Sequence, residues 1–355
     1  MNMKINHIIL SALAILAVSC GTRKAEQFQA LPFPDVAPPG MLETVQDRAA
    51  YMVEHWWDRI TEEDRAYPCD TILVSGVSKD VVEQKFANWV DVMSIVDYRT
   101  ASKAMVRLYD RAVRCERRDT SSNVFETFTH LMEKYLYDPN SPLRNEDLYG
   151  PYAERLAGCE FIDEGKKTAY SYDARMSALN RVGTKATDFR FEDKNGRVRR
   201  LHDIKADHVI LFFSNPGCEA CMEIINALKN TPQVSSLVSS GKVAVLNIYI
   251  DEDLEAWRAY MPIYPDEWYN GFDPDFVIRT DILYNVRAIP SLYLLDKDKT
   301  VLMKDAVTDR VLNYLANINL SAYIYKLNLQ LDILWKSLRN FGASLPAEKR
   351  FSFIH

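Results

Sequence analysis

The chain has 355 residues, 48% of them hydrophobic and 26% charged, with a formal net charge of −6. That length exceeds most single domains and predicts two globular units with short appendages, while the hydrophobic share excludes a disordered chain. The modest, mixed negative charge lacks the basic face that nucleic-acid binding requires.

The first residues, MNMKINHIILSALAILAVSC, place Lys4 before an apolar run from Ile8 to Val18 and small residues before Cys20. This is the pattern of a secretory signal, too short for a membrane span. Its end, Leu16-Ala17-Val18-Ser19-Cys20, resembles the lipobox of bacterial lipoproteins, which implies lipidation of Cys20. Residues 1–20 are then a lipoprotein signal peptide and 21–40 a polar, Pro-rich tether. The protein is expected to be lipid-anchored through Cys20 in the envelope of a Gram-negative bacterium, facing the periplasm. In an oxidising compartment a cysteine pair is either a maintained redox centre or a disulfide.

Residues 41–181 read as an all-α bundle. Val82, Phe86, Trp89, Val90, Met93 and Val96 share one helix face after a cap at Ser78 or Asp80. Further helical runs cover Leu42–Ile60, Thr100–Cys115, Val124–Leu136 and Glu146–Ala157. Asp138-Pro139-Asn140-Ser141-Pro142 predicts a helix stop and rigid turn, and Asn145 a cap for the next helix. No catalytic constellation is visible, and His55 and His130 stand alone. Cys69, Cys115 and Cys159 are an odd set whose pairing sequence cannot choose. The stretches EKYLYDPNSPLRNEDLYGPYAERL and AAYMVEHWWDRI resemble a helical domain of unknown function found ahead of thioredoxin-like domains in Gram-negative lipoproteins. That resemblance carries no chemistry.

Near Arg181 the pattern changes. VGTKATDFRFEDKNGRVRRLHDI alternates around Asn195-Gly196, predicting a tight hairpin. HVILFFS is a continuous apolar run suited to a strand buried on both faces. CMEIINALKN has helical spacing, Val243–Ile250 reads as a second buried strand, and DEDLEAWRAYM begins a helix. IPSLYLLDKDKTVLMKDA supplies two strands joined by a charged turn, before a helix near Val307–Ala316.

Two cysteines, Cys218 and Cys221, fall between the apolar strand and the first helix. A thiolate attacks a disulfide, so a redox cysteine needs its pKa lowered from about 8.5 to roughly 3.5–7.5. The unpaired N–H groups and dipole at a helix N-terminus do this. Cys218 is therefore the exposed nucleophile, and Cys221, one turn further in, resolves the mixed disulfide. The charge of Glu219 disfavours the thiolate and pushes the couple toward reducing power.

The order of elements, with cysteines at the first helix N-terminus and Ile289-Pro290 before the penultimate strand, resembles the thioredoxin fold. Residues 182–317 are similar in particular to extracytoplasmic thioredoxin-like reductases related to cytochrome-maturation proteins. The resemblance implies that Pro290 is cis and faces the cysteines, leaving the backbone at Ile289 to pair with an extended substrate. It also implies that Tyr264–Val286 is an insert leading into the next strand. The fold class expected is α+β with two domains: an all-α bundle, then a thioredoxin-like α/β domain with a central mixed sheet.

Several positions depart from that family. Gly217 precedes the nucleophile where Trp is usual, and Phe212 stands where many thioredoxins bury an acid. Some relatives use a Glu three residues after the second cysteine, but that position is Ile224, with Glu223 one residue early. Glu219 and Glu223 are the candidate tuning or proton-accepting groups.

A zinc site needs about four ligands, and no second Cys-x-x-Cys or paired histidine spacing accompanies this pair. Copper-handling relatives need a downstream histidine, and only His355 follows Cys221. No metal or organic cofactor is implied. Residues 318–355 form a C-terminal extension that fits either a strand or a helix, with helix favoured.

These readings together predict a thiol-disulfide oxidoreductase acting as a reductant. Its partners are protein disulfide substrates and a membrane thiol-transfer electron donor. The rival class is an envelope binding or assembly module on a redox-inert thioredoxin-like scaffold.

Overall fold

The computed structural model describes residues 29–62 and 72–318. Cys20, Cys69 and the extension from residue 319 lie outside them. A helical unit comes first, and a seven-stranded mixed sheet with helices on its faces follows.

Thr44 opens α1 (Val45–His55), its side chain accepting the Asp47 N–H. The turn from helix to turn geometry comes at His55, earlier than the helix to Ile60 that periodicity suggests. Trp56 and Trp57 past this end are buried. A small hairpin, β1 (Leu73–Val74) and β2 (Val77–Ser78), leads into α2 (Lys79–Met93). Then come α3 (Tyr98–Arg118), capped by Asp97, and α4 (Val124–Met132). A π-helical turn, Glu133–Tyr137, continues α4 and stops at Asp138, ahead of Pro139.

The Asn145 side chain accepts the Leu148 N–H and opens α5 (Glu146–Ala157) as its sequence predicts. Asp163 caps α6 (Glu164–Ser177). Phe86, Trp89, Met105, Phe128 and Tyr152 form the centre of the core around Trp57, whose ring meets Phe128 nearly edge-on at 4.7 Å. The Trp89 Nε1–H donates to Val53 O, which satisfies the one polar group of that buried ring.

In the second unit, β3 (Arg190–Asp193) and β4 (Val198–Arg200) form the expected hairpin. The turn is longer than the Asn-Gly pair suggests: Gly196 alone has positive φ (+74°), and the Asp193 carboxylate accepts from the N–H groups of Asn195 and Arg197. β5 (His208–Phe213), α7 (Glu219–Asn230), α8 (Pro232–Ser239), β6 (Val243–Tyr249) and α9 (Leu254–Tyr260) follow. Then come β7 (Tyr269–Phe272), α10 (Val277–Thr280), β8 (Ser291–Asp296), β9 (Val301–Met303) and a helix over 308–318.

Strand order is β4-β3-β7-β6-β5-β8-β9. β5 is parallel to β6 and antiparallel to β8. Its alternate residues feed two cores, Ile210 and Phe212 toward α7 and Val209, Leu211 and Phe213 toward the other face. That is why HVILFFS shows no polar alternation.

The segment 264–286 corrects an expectation. It is not only an insert, because β7 within it joins the sheet, parallel to β6 and antiparallel to β3. Four residues, YNGF, are too few to show a period of two, and only long-range pairing makes them a strand. Among the described residues no helix is long and apolar enough to cross a membrane.

Candidate active site

β5 does not stop abruptly, since the Ser214 N–H still donates to Ile248 O (3.2 Å). The chain then turns through Gly217 (φ +72°), and the Cys218 N–H donates to Asn215 O (3.3 Å). Cys218 is the N-cap of α7, its Sγ 3.1 Å from the Cys221 N–H. A sulfur thus occupies the place of an oxygen cap, against the positive end of the helix. Cys218 is half-buried and Cys221 is 2% exposed, an outer and an inner sulfur. The two form a disulfide with Cα atoms 5.2 Å apart.

The Ile289–Pro290 bond is cis. Ser291 pairs with Phe213, so Pro290 and the 214–218 turn leave neighbouring strands at the same end of the sheet. Ile289, Cys218 and Met222 pack against one core, that of α7. Among the described residues no hydrogen-bond partner meets the N–H or C=O of Ile289. These groups are available to an incoming extended chain.

Glu219 and Glu223 are exposed, and among the described residues neither side chain makes a hydrogen bond or ion pair. Phe212 is fully buried. Buried polarity on its side of the sheet comes instead from a row that the sequence reading missed. Ser214 Oγ donates to Asn247 Oδ1 (2.5 Å), Asn247 Nδ2 to Asn270 Oδ1 (3.1 Å), and Asn270 Nδ2 to Pro265 O (2.8 Å). The Tyr264 hydroxyl lies 3.4 Å from Ser214 Oγ, and burial raises its pKa above the ordinary phenol value, so it stays protonated at neutral pH. The row holds no carboxylate. Asn247 in the otherwise apolar VAVLNIYI was the available signal.

The helical unit reaches this end of the sheet. Glu146 at the start of α5 accepts from Arg287 Nε and from Asn285 Nδ2 (3.1 Å), and its other oxygen is 2.8 Å from Lys304 Nζ. Asp305 accepts from Ser291 Oγ (2.9 Å) and pairs with Arg287 (3.3 Å) and Arg144 (3.2 Å). The Arg287 guanidinium also lies 4.5 Å from the Tyr137 ring. Asp147 accepts the Val182 N–H (2.8 Å) where the chain crosses between units. Carboxylates and cations alternate here, so each buried charge has an opposite neighbour. The distinctive segment 133–156 is thus the part of the helical unit that holds Asn285 and Arg287, shortly before the cis proline, and Lys304 and Asp305 after it.

Cys115 and Cys159 are buried in the helical core, and His55 pairs with Asp58 at 2.8 Å. Cys115 and Cys159 belong to the helical core and not to the one that holds the cysteine pair.

A cysteine pair capping the first helix of a mixed sheet, opposite a cis proline, defines a thioredoxin-like protein, and this chain belongs to that family. A thioredoxin-like family model matches residues 206–301, and a domain of unknown function (DUF5106) matches residues 17–180. A thioredoxin-like protein from Bacteroides caccae ATCC 43185 is similar at 37% identity, over 80% of this chain and 98% of that one, with a TM-score of 0.67. The C-terminal domain of an uncharacterized protein from Bacteroides fragilis NCTC 9343 shares 45% identity over 39% of this chain and 98% of that one (TM-score 0.38). A domain of a possible thiol-disulfide isomerase from Cytophaga hutchinsonii ATCC 33406 shares 22% over 41% and 99% (TM-score 0.34). No curated protein matches the chain.

Proposed function

We propose that the protein is an extracytoplasmic thiol-disulfide oxidoreductase that reduces disulfides in other proteins. The observation that carries this reading is the Cys218–Cys221 pair at the N-terminus of α7, at the same end of the sheet as the cis Ile289–Pro290 bond. In the reduced protein the Cys218 thiolate attacks one sulfur of a partner's disulfide. The partner S–S bond breaks, a mixed disulfide forms, and the leaving thiolate takes a proton from water. Cys221 then loses its proton and attacks the Cys218 sulfur, which releases the second partner thiolate. Two electrons pass from the dithiol to the partner, and Cys218 and Cys221 end as a disulfide.

A membrane thiol-transfer protein is the electron donor in this proposal, and lipid on Cys20 holds the chain at the Gram-negative envelope, facing the periplasm. The helix N-terminus supports thiolate formation at Cys218, and the nearby charge of Glu219 favours a reducing couple. A Cys221→Ser variant is expected to accumulate mixed disulfides with protein substrates, visible on non-reducing gels, while Cys218→Ser abolishes turnover. Turnover unchanged in Cys218→Ser, or a pair that cannot be cycled at any measured potential, would leave the scaffold reading in its place. Mass spectrometry of the mature N-terminus tests the anchor separately, with an unmodified Cys20 as the failing result.

A further inference from the structure

A cleft of about 430 Å³ opens between α6 of the helical unit and the chain that leads to the cis proline. Tyr172 lines it from α6, and Asp251, Arg279, Ile282, Val286 and Ile289 line it from the second unit. The cleft touches both halves of the redox site. Ile289 carries the unpartnered backbone groups described above. Asp251 accepts from Asn215 Nδ2 (2.6 Å), in the turn that carries Cys218.

Tyr172 is 44% exposed, so much of its ring is open to an incoming group. Arg175, one turn further along α6, places its guanidinium 5.5 Å from that ring. On the side of the second unit, Asn285 and Arg287 also line the cleft and are fixed by Glu146. A pre-formed cleft lined by an aromatic ring and aliphatic side chains binds at low ordering cost.

We infer that the helical unit builds one side of the protein-substrate groove, with Tyr172 the residue that selects what enters. The occupant is an extended segment of the partner protein beside its disulfide cysteine, with an aliphatic or aromatic side chain seated between Tyr172 and Val286. Continuity with Ile289 argues for this occupant: Ile289 itself lines the cleft, so a chain paired to its backbone lies alongside it. Charge fits as well, since the lining residues Asp251 and Arg279 already neutralise each other in an ion pair.

This inference rests on Cys218 and Cys221 being a working dithiol, and the test separates the two. Pre-reduced mature protein is mixed with rising concentrations of insulin and, separately, of hydroxyethyl disulfide, which is too small to span the groove. Tyr172→Ala is expected to raise the half-saturation concentration for insulin about tenfold, with the limiting rate within about twofold. Tyr172→Phe, which keeps the ring, is expected to restore most of it. A half-saturation concentration for insulin within about twofold of wild type in Tyr172→Ala overturns the groove while the redox reading stands. Failure of the unsubstituted protein to reduce either disulfide overturns both.

Discussion

Glu146 and Arg287, 141 residues apart in sequence, meet in a buried ion pair across the boundary between the helical unit and the thioredoxin-like sheet. Glu146 is 1% exposed and Arg287 10%. Lys304, 3% exposed, lies against the second Glu146 oxygen, so one carboxylate is shared by two cations, with Asp305 supplying Arg287 a second counter-charge. Pro290 lies only three residues beyond Arg287, so the pair ties the helical unit to the stretch that leads into the cis proline.

Glu146→Ala is expected to cost about 3–5 kcal/mol, because it strands Arg287 and Lys304 in a buried site with fewer counter-charges. Urea denaturation gives the number. A loss below about 1 kcal/mol would place the pair among exposed salt bridges in energetic terms, against its burial.

Asp147, next in the chain, sets a pH dependence. Burial raises its carboxyl above the ordinary value of 3.8, Lys304 and the Val182 N–H pull it down, and Glu146 adds to the rise. A raised folded pKa means that the folded protein keeps a proton the unfolded chain has released. The stability contribution is therefore full below 3.8 and is lost as pH rises through the folded value. Asp147→Asn keeps an acceptor for Val182 and removes the titration. The variant is expected to be more stable than the parent near neutral pH, with the gap closing as pH falls toward about 4. Thermal midpoints across that range decide it, and a gap that widens toward acid contradicts the sign.

What the sequence made legible depended on range. The strand before the cysteine pair and the helix that Cys218 caps are local signals, written within Ile210–Leu228, and both form there. Asn145 as a cap is equally local. β7 was not legible, because Tyr269–Phe272 becomes a strand only through pairing with β6 and β3. Glu146 looked like an ordinary acidic residue in a first helical turn, where carboxylates are common for reasons of the helix dipole alone. Its partners Arg287 and Lys304 are far along the chain, and no periodicity links them. The polar row through Ser214, Asn247 and Asn270 had one visible clue, an asparagine in an apolar strand, and its meaning required the register of three strands.

Two glycines separate steric from conformational need. Gly271 in β7 has no room: a Cβ there would lie 2.6 Å from Phe191 Cδ2 and 3.0 Å from Glu192 O, both on the neighbouring β3. Gly217, just before Cys218, has open space around the same position but a φ of +72°. Gly271→Ala is therefore expected to push the β3–β4 hairpin away from β7, at about 1–3 kcal/mol, and Gly271→Asn to do worse. Gly217→Ala is expected to cost about 1–2 kcal/mol from the left-handed backbone alone. Gly217→Asn should cost less than Gly217→Ala, since asparagine visits that conformation readily. The order of the four variants in denaturant midpoint is the measurement. If asparagine were worse than alanine at position 217, the difficulty would be crowding near Cys218 and the open space around Gly217 would not be the relevant fact.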